Sequence, residues 1–517
     1  MKLFSFFHKT IDFSFFALYH RVNKAILHVY DFNILLWRIL MYIPQLTYAN
    51  EKQLEYLHQY SVDILCKIGM RVEDPEIRKA LCEYDCIEKG DRILFSESLI
   101  EKTIKNLKQV LTFTCHASGK KTVAELYKTI THSTGGAPWI LDPINKTKRN
   151  GMLTDLVDTI HVMNQLPELD IPCALLYPSD VPAEITQLKQ TATMFQYSRK
   201  PIYGPGVSMA SNAKFIAELF KVYGGGADAL AENPIGMVGI SPESPLFLPK
   251  EITDTMKYII GAGIPTSVLS APMGGLTSPL SVAGTVTQAH AEILGFACVA
   301  YLINPKCTLF YGSRTFFANM KNAQSILGLP ETGISSTLCV QLANRIGFMT
   351  DIYGMTTTSC AMDEQAAYEK MLNGILPSMA HGTIITGFGC LASNMACSLG
   401  QLVLDNEMMA IIRKAQRAME YTPEEMGLEA LEAVINDEET FLVQDHTLDH
   451  LYDEVFQPEI GFDSVWADWS ARGEVPLNVR AEERARELIQ KDGDFEAPSE
   501  LITEAEKILN FAEKELM

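Results

Sequence analysis

The stretch Met349-Thr-Asp-Ile-Tyr-Gly-Met-Thr-Thr-Thr-Ser-Cys-Ala-Met-Asp-Glu-Gln-Ala-Ala-Tyr368 holds the residues best placed for chemistry. An apolar run stops at Tyr353-Gly354, an uncharged polar cluster follows over Thr356–Cys360, and Asp363 opens a helical pattern. In α/β proteins such a passage from strand end to helix start is where ligands bind, because the loops there converge on one face. Other apolar runs end in similar fashion: Tyr177-Pro-Ser-Asp180, Tyr203-Gly-Pro-Gly206, Tyr311-Gly-Ser313 followed by Phe316-Phe317, and Phe388-Gly389. Aromatic residues recur at these ends, while acids stand one step further out, at Asp180, Glu243, Glu331 and Asp363. An aromatic wall with few fixed charges suits a quaternary ammonium, which each ring attracts by about 0.5–2 kcal/mol. The plain alternative is that any rim of strand ends contains aromatics.

Eight short apolar runs must position these residues. They lie at 137–141, 171–177, 201–205, 235–241, 265–271, 307–312, 349–354 and 383–388, and helical patterns follow most of them, as at Asp155–Leu166, Ala213–Tyr223, Thr253–Ala262, Val282–Ile303 and Asp363–Met379. Eight alternating units predict a (β/α)8 barrel in an α/β protein; a doubly wound sheet is the rival, weakened by the lack of GxGxxG after the first strand. An α+β extension precedes the barrel and acidic helical patterns follow it. The predicted division is an extra N-terminal segment over 1–46, a cap over 47–135, a barrel over about 136–400 and C-terminal helices over 401–517.

Composition narrows the class. The chain has 517 residues, 47% hydrophobic and 21% charged, which reads as globular rather than disordered. A net charge of −20 argues against a nucleic-acid surface, which needs clustered Lys and Arg. The eleven cysteines are scattered without a CxxC, as expected of reduced thiols in a cytoplasm. Cys82 and Cys86 stand four apart, a weak hint of metal ligation; His446 and His450 repeat that spacing without a third ligand nearby, and no metal site is expected. The segment Met1–Ile43 is rich in Phe, Leu and Ile and slightly basic, but Asp12, His20, Arg21, Asp31 and Arg38 interrupt it, so no membrane span is expected. An upstream start codon, with Met41 as the natural one, is the favoured reading of this segment, and an added amphipathic helix is its rival.

With these residues in view, the chain resembles the trimethylamine methyltransferase family from about residue 47 onward. The resemblance is carried by Leu54–Val72, Thr154-Asp-Leu-Val-Asp158 with Leu166-Pro-Glu-Leu-Asp170, Ser270–Pro279, Asp363-Glu-Gln-Ala-Ala-Tyr-Glu369, Leu402-Val-Leu-Asp-Asn-Glu407, His446-Thr-Leu-Asp-His450 and Ser464–Gly473. It implies a barrel that moves a methyl group from an amine to Co(I) of a separate corrinoid protein, so the corrinoid comes with a partner and no cofactor is held tightly. A homo-oligomer is expected. Trimethylamine enzymes of the family carry pyrrolysine before the Asp-x-Gln-Ala motif, where this chain has Thr358-Ser-Cys-Ala-Met362. In that respect it is more similar to members acting on glycine betaine and other quaternary amines.

The resulting expectation is a quaternary-amine:corrinoid methyltransferase. Tyr177, Tyr203, Phe316, Phe317, Tyr353 and Phe388 are its cage candidates; Thr358, Ser359 and Cys360 line the wall; Glu331 and Asp363 are the electrostatic or orienting groups; Arg314 or Asn319 meets a substrate carboxylate or lies on a solvated rim. A lyase or aldolase would need a Schiff-base Lys or a metal carboxylate set at strand ends, and neither is evident. A non-catalytic betaine sensor would use the same pocket, as would a trimethylamine-specific enzyme.

Overall fold

A computed structural model describes residues 44–517 except 143, 144, 146, 420, 437–439 and 494. The expectations for Met1–Ile43 lie outside the described residues. Two compact units are distinguished: one comprises Gln45–Lys414 and Gln457–Met517, and the other includes Ala415–Phe456.

The first unit opens with the helix Glu51–Lys67. Asn50 caps it, accepting from the Gln53 amide while the Gln53 side chain accepts from the Asn50 amide. Gly69 then turns the chain at φ +77; a Cβ there would lie 2.3 Å from the Ile93 carbonyl oxygen, so both the conformation and the space demand glycine. Short strands Met70–Val72, Ile87–Lys89 and Arg92–Leu94 pair antiparallel behind it.

A mixed α/β body follows. Strands Ile202–Gly206, Gly236–Ile240, Thr266–Ser270 and Leu309–Ser313 pair in parallel, in that order. Asp351–Tyr353, Ile384–Phe388 and Ile130–Ser133 form a second parallel set. Single parallel bridges join Tyr311 to Thr350, His132 to Ile171, and Cys173 to Tyr203. The first strand of this series is therefore Ile130–Ser133, not the expected 137–141. That later run, as Trp139–Asp142, pairs antiparallel with Thr147–Asn150 and parallel with Ala396–Cys397. Its alternating apolar residues fit a strand equally well; the true first strand, Ile-Thr-His-Ser, hides its polar side chains in the interior.

Side chains of the parallel strands divide between two cores. On one face Val238, Ile240, Val268, Tyr311, Ile352, Ile385 and Phe388 join the helices in the larger cluster. On the other, Ile130, Ile171, Tyr203, Met237, Phe310, Met349 and Ile384 meet Phe113 and Ala124 of the hairpin Val110–Thr114/Lys121–Glu125. The helix Val282–Ile303 is, among the described residues, the one long and apolar enough to cross a bilayer, yet 83% of its most apolar window is buried in the protein. Its single acid, Glu292, is fully buried and accepts from Ser244, Ser270, Gln288 and the Leu246 amide at 2.7–3.0 Å. Burial pushes that carboxyl up and the four donors oppose the shift.

Two helices went unread in the sequence, Thr186–Tyr197 and Pro330–Arg345. In the second unit Leu428–Asn436 and Asp445–His450 are helical. The rings of His446 and His450 stack with centroids 4.2 Å apart, and His450 also faces Glu425 at 3.3 Å. No group of three or more metal-ligating side chains occurs among the described residues.

Candidate functional site

The inner face of the parallel strands is apolar at one level and charged at the next. Asp351 opens its strand and is fully buried. Its Oδ1 lies 2.9 Å from His132 Nε2. Its Oδ2 accepts from Arg314 at 2.7 Å, Ser267 at 2.7 Å and the Tyr203 hydroxyl at 3.0 Å. Burial alone would raise this carboxyl; the charge of Arg314, then His132 and the hydrogen bonds, holds it far below the usual carboxylate range. The same burial raises the Tyr203 hydroxyl, with the Asp351 charge adding to it. The His132 ring stacks on Tyr203 at 4.4 Å. Arg314 follows its strand directly and turns back over this cluster, bonding the Asp351 carbonyl at 2.6 Å and lying 5.1 Å from the centre of the Tyr353 ring.

The loops beyond the strand ends build the wall. Tyr353 is half-buried, and its hydroxyl accepts from Asn394 at 3.2 Å. Glu369, buried on the helix Glu364–Met379, accepts from the Thr357 hydroxyl at 2.6 Å, the Thr358 amide at 2.8 Å and Gln365 at 2.9 Å. The Thr358 hydroxyl in turn accepts from the Gly328 amide at 2.9 Å. A Cβ at Gly328 would sit 2.0 Å from Glu369 Oε2. Because that carboxylate is fixed by three donors, Gly328→Ala should lower stability by about 1–3 kcal/mol, as overpacking does, measured by urea unfolding. A loss under about 0.5 kcal/mol would show that the loop yields freely.

Beneath this wall lies a buried ion pair. Lys370 Nζ is 3.0 Å from Asp405 Oδ2, with both side chains wholly inaccessible. Lys370 also donates to the carbonyls of Met355 at 2.8 Å and Gly387 at 2.9 Å, and Asp405 accepts the Gly389 amide at 2.7 Å. The pair thus pins the backbone just past two neighbouring strands. Asn406 and Glu407, the next two residues, likewise take backbone amides, of Glu168 and of Ile460 and Gly461. The stretches Asp363–Glu369 and Leu402–Glu407 thus hold loops in place.

The expected site residues are partly brought together. Tyr353, Thr358 and Glu331 gather around the loops after two adjacent strands. Glu331 lies in the first turn of Pro330–Arg345, and its Oε2 is buried without a hydrogen-bond partner. One turn on, the Ser335 hydroxyl meets that of Thr315 at 2.9 Å, beside Arg314. Phe316 is half-buried and Phe317 buried in a small sheet with Met273–Gly274. Ser359 is buried and bonds Asp363 at 2.8 Å, while Cys360 is exposed. Tyr203 lies in the inner core beneath the charged layer, its hydroxyl spent on Asp351.

The other candidates take the following positions. Asp363 is exposed and caps the helix Glu364–Met379, accepting from the Ala366 amide. Tyr177 is 37% exposed. Phe388 packs in the helix-side cluster, because Gly387 at φ +130 interrupts the strand register and turns the next side chain over. Asn319 is a turn residue whose side chain accepts from Lys321. His132, Asp351 and Ser267 were missed. They lie inside apolar-looking strands, and only their shared burial reveals them.

A polar, charge-bearing inner face below aromatic loops, on a mixed α/β framework, is the candidate small-molecule site. The trimethylamine methyltransferase (MTTB) family matches residues 27–514, and the chain belongs to that family. The match starts earlier than the expected residue 47. Trimethylamine methyltransferase MttB of Desulfitobacterium hafniense is 24% identical over 473 residues, covering 90% of this chain and 94% of that protein. MttB of Methanosarcina barkeri is 26% identical over 495 residues, covering 91% and 96%. A glycine betaine methyltransferase of Desulfitobacterium hafniense is 24% identical over 452 residues, covering 86% and 93%. Among solved structures, the hydroxylamine complex of MtmB aligns with a TM-score of 0.51 at 10% identity, covering 88% of this chain and 90% of that one, a likeness of fold.

Proposed function

We propose that the protein is a methyltransferase that moves a methyl group from a quaternary methylamine, such as glycine betaine, to Co(I) of a separate corrinoid protein. One observation carries the reading: a carboxylate oxygen of the half-buried Glu331 is buried without a partner, just after Leu327 and Gly328, which bond the uncharged loop Thr356–Cys360. A quaternary ammonium has no N–H to donate and is met by a carboxylate charge and by ring faces. Membership of the family and the glycine betaine relative support the same reading.

The framework proposed is a (β/α)8 barrel. Followed in turn, the parallel pairings lead from Ile130–Ser133 through 171–173 and the six other strands back to Ile130–Ser133. The site then stands at the C-terminal ends of the strands. The corrinoid is a substrate brought by a partner protein, and the enzyme is proposed to work in the cytoplasm as a homo-oligomer. The reaction is a displacement at carbon: Co(I) attacks the methyl group, the C–N bond breaks, and the neutral tertiary amine leaves with the electron pair. The ammonium already carries the charge that makes the amine leave, so no proton need be supplied. The residues bind, orient and exclude water.

The test mixes protein, reduced corrinoid partner and one amine at a time, and follows Co(I) turning into methyl-Co(III) by absorbance. Glycine betaine, carnitine, choline, proline betaine and trimethylamine form the panel. Methyl transfer from at least one quaternary amine is expected, and Glu331→Gln should weaken that amine about tenfold by loss of one charge–charge contact. Silence across the whole panel would sink the enzyme; unchanged affinity in Glu331→Gln would remove Glu331 from the site.

A further inference from the structure

Two thiols face one another at the edge of the site. Cys390 and Cys397 are partners across the antiparallel strands Cys390–Leu391 and Ala396–Cys397, and both are free and fully buried. Just outside the pair, the Ser398 amide donates to the Gly389 carbonyl at 3.2 Å. A bond in that position marks the pair as the non-hydrogen-bonded kind, in which facing Cα atoms stand about 4.5 Å apart and side chains come closest. A disulfide spans Cα atoms about 4.4–6.8 Å apart, so the backbone already has the spacing one needs. Partners in register also point to the same face of the hairpin.

The chain between the two thiols supports the wall of the site. Ala392, Ser393 and Asn394 all take left-handed backbone, with φ 51, 53 and 68. That conformation costs an ordinary residue about 1–3 kcal/mol, so contacts must hold it. The Ala392 amide donates to the Ser359 carbonyl at 2.7 Å and the Ser393 amide to the Thr357 carbonyl at 2.9 Å. Asn394 donates to the Tyr353 hydroxyl at 3.2 Å. At the base of the hairpin, Cys390 Sγ lies 3.2 Å from the Gly387 carbonyl oxygen and 3.8 Å from Lys370 Nζ, a cation of the kind found beside reactive thiols. Both sulfurs are buried, but Met395 at the tip is exposed.

We propose that Cys390 and Cys397 are a reversible modification site, oxidised by a hydroperoxide to a disulfide that distorts the wall and shuts down the site. One peroxide oxygen adds to the Cys390 sulfur, giving a sulfenic acid, and the other leaves as water; the Cys397 sulfur then attacks Cys390, the S–S bond forms and a second water leaves. Two electrons pass from the sulfurs to the peroxide, and both thiol protons end in water. Hydrogen peroxide is close to water in size and reaches the sulfurs when the hairpin opens from its exposed tip. Bond formation draws the facing Cβ atoms from about 4.5–5.5 Å to about 3.5–4.5 Å. A shift of about 1 Å then passes through Ala392–Asn394 to the loop Thr356–Cys360 and to Tyr353, and a misplacement of that size costs an enzyme about a hundredfold. A dithiol restores the reduced pair by exchange. The loss of activity rests on the function given above; the disulfide does not.

The test treats the native full-length protein with hydrogen peroxide, removes the peroxide with catalase, and alkylates under denaturing conditions. The tryptic peptide Met371–Arg413 holds both cysteines and no third. It should emerge unalkylated and two hydrogens lighter, and dithiothreitol before alkylation should restore two alkylated thiols. The exposed Cys82 and Cys360 report that peroxide has acted. Cys397→Ser should stop at a sulfenic acid on Cys390, trapped by dimedone; Cys390→Ala removes the same bond and covers the case in which the first variant misfolds. Both thiols still alkylated once Cys360 is oxidised, or either one linked to a different cysteine, would overturn the proposal. Methyl transfer from glycine betaine should fall about tenfold or more in the oxidised protein, return with dithiothreitol, and be indifferent to peroxide in Cys397→Ser. A disulfide that leaves the rate unchanged would overturn the shutdown. No transfer from any amine by the untreated protein would sink the methyltransferase and the shutdown together, while the peptide mass alone still decides the disulfide.

Discussion

Lys370→Met should cost the protein about 3–5 kcal/mol of stability, the usual loss when one partner of a buried ion pair is removed. The lysine shares a site with no solvent access with Asp405, and it also satisfies the carbonyls of Met355 and Gly387. Removing it leaves Asp405 with the amides of Gly389 and Gln401 as donors. Burial already pushes the Asp405 carboxyl upward, and the lysine opposes that. Without the lysine the carboxyl rises further above its unfolded value. A raised carboxyl binds its proton more tightly in the folded state, so the variant should regain stability as pH falls toward 5 and lose it as pH rises. Replacing both partners, Lys370→Met with Asp405→Leu, should recover most of the loss, since two apolar side chains carry no unpaired charge. Urea unfolding of the single and double variants between pH 5 and 8 reads all three effects. A single variant as stable as the parent would mean that the two charges are not dry.

The second large effect is expected at Asp351. Asp351→Asn keeps the shape and removes the charge, leaving the buried Arg314 guanidinium without its counter-ion and His132 without its carboxylate partner. A loss of about 3–5 kcal/mol at neutral pH is expected for the same reason. The Asp351 carboxyl itself behaves oppositely to the raised Asp405 carboxyl, stabilising the fold when it is ionised. The Asp351 carboxyl is held far below its ordinary value, so its contribution is complete above pH about 4 and is lost as pH falls through the folded value. The gap between parent and variant should thus stay constant from pH 8 to 5 and narrow below about 4. A gap that widened on acidification would place the proton elsewhere in the cluster.

Both predictions concern charges that were hard to see in the sequence, and the reason is physical. Lys370 directly follows one stretch that carried the family resemblance and Asp405 lies in another, but nothing in their spacing says that they meet. Asp351 stands in a run read as apolar, and His132 in one read as no strand at all. A polar residue inside a strand reveals its purpose only through its cross-strand partners, which for Asp351 come from three other strands. The helices Thr186–Tyr197 and Pro330–Arg345 escaped for a related reason. Their buried faces are rich in Thr and Ser, and several of the hydroxyls bond within the helix, as Thr191 on Gln187, Thr193 on Lys189 and Thr337 on Gly333. Such a face shows no apolar stripe to read.

What the sequence determined by itself is local and periodic. Apolar runs placed six strands of the parallel series, and the loop Thr356–Cys360 was marked by its lack of charge. The aromatic strand ends Tyr353 and Phe316 were likewise legible, since both depend only on neighbours along the chain. Which way a side chain turns was decided by the tertiary structure: Gly387 rotates Phe388 to the helix side, and capping spends Asp363 on its own helix. The charge balance of the site belongs there too. Glu331 is left unanswered, while Arg314, Asp351 and His132 close on one another across the strands. Charges hundreds of residues apart acquire a common dielectric and a net sum only when folding encloses them together.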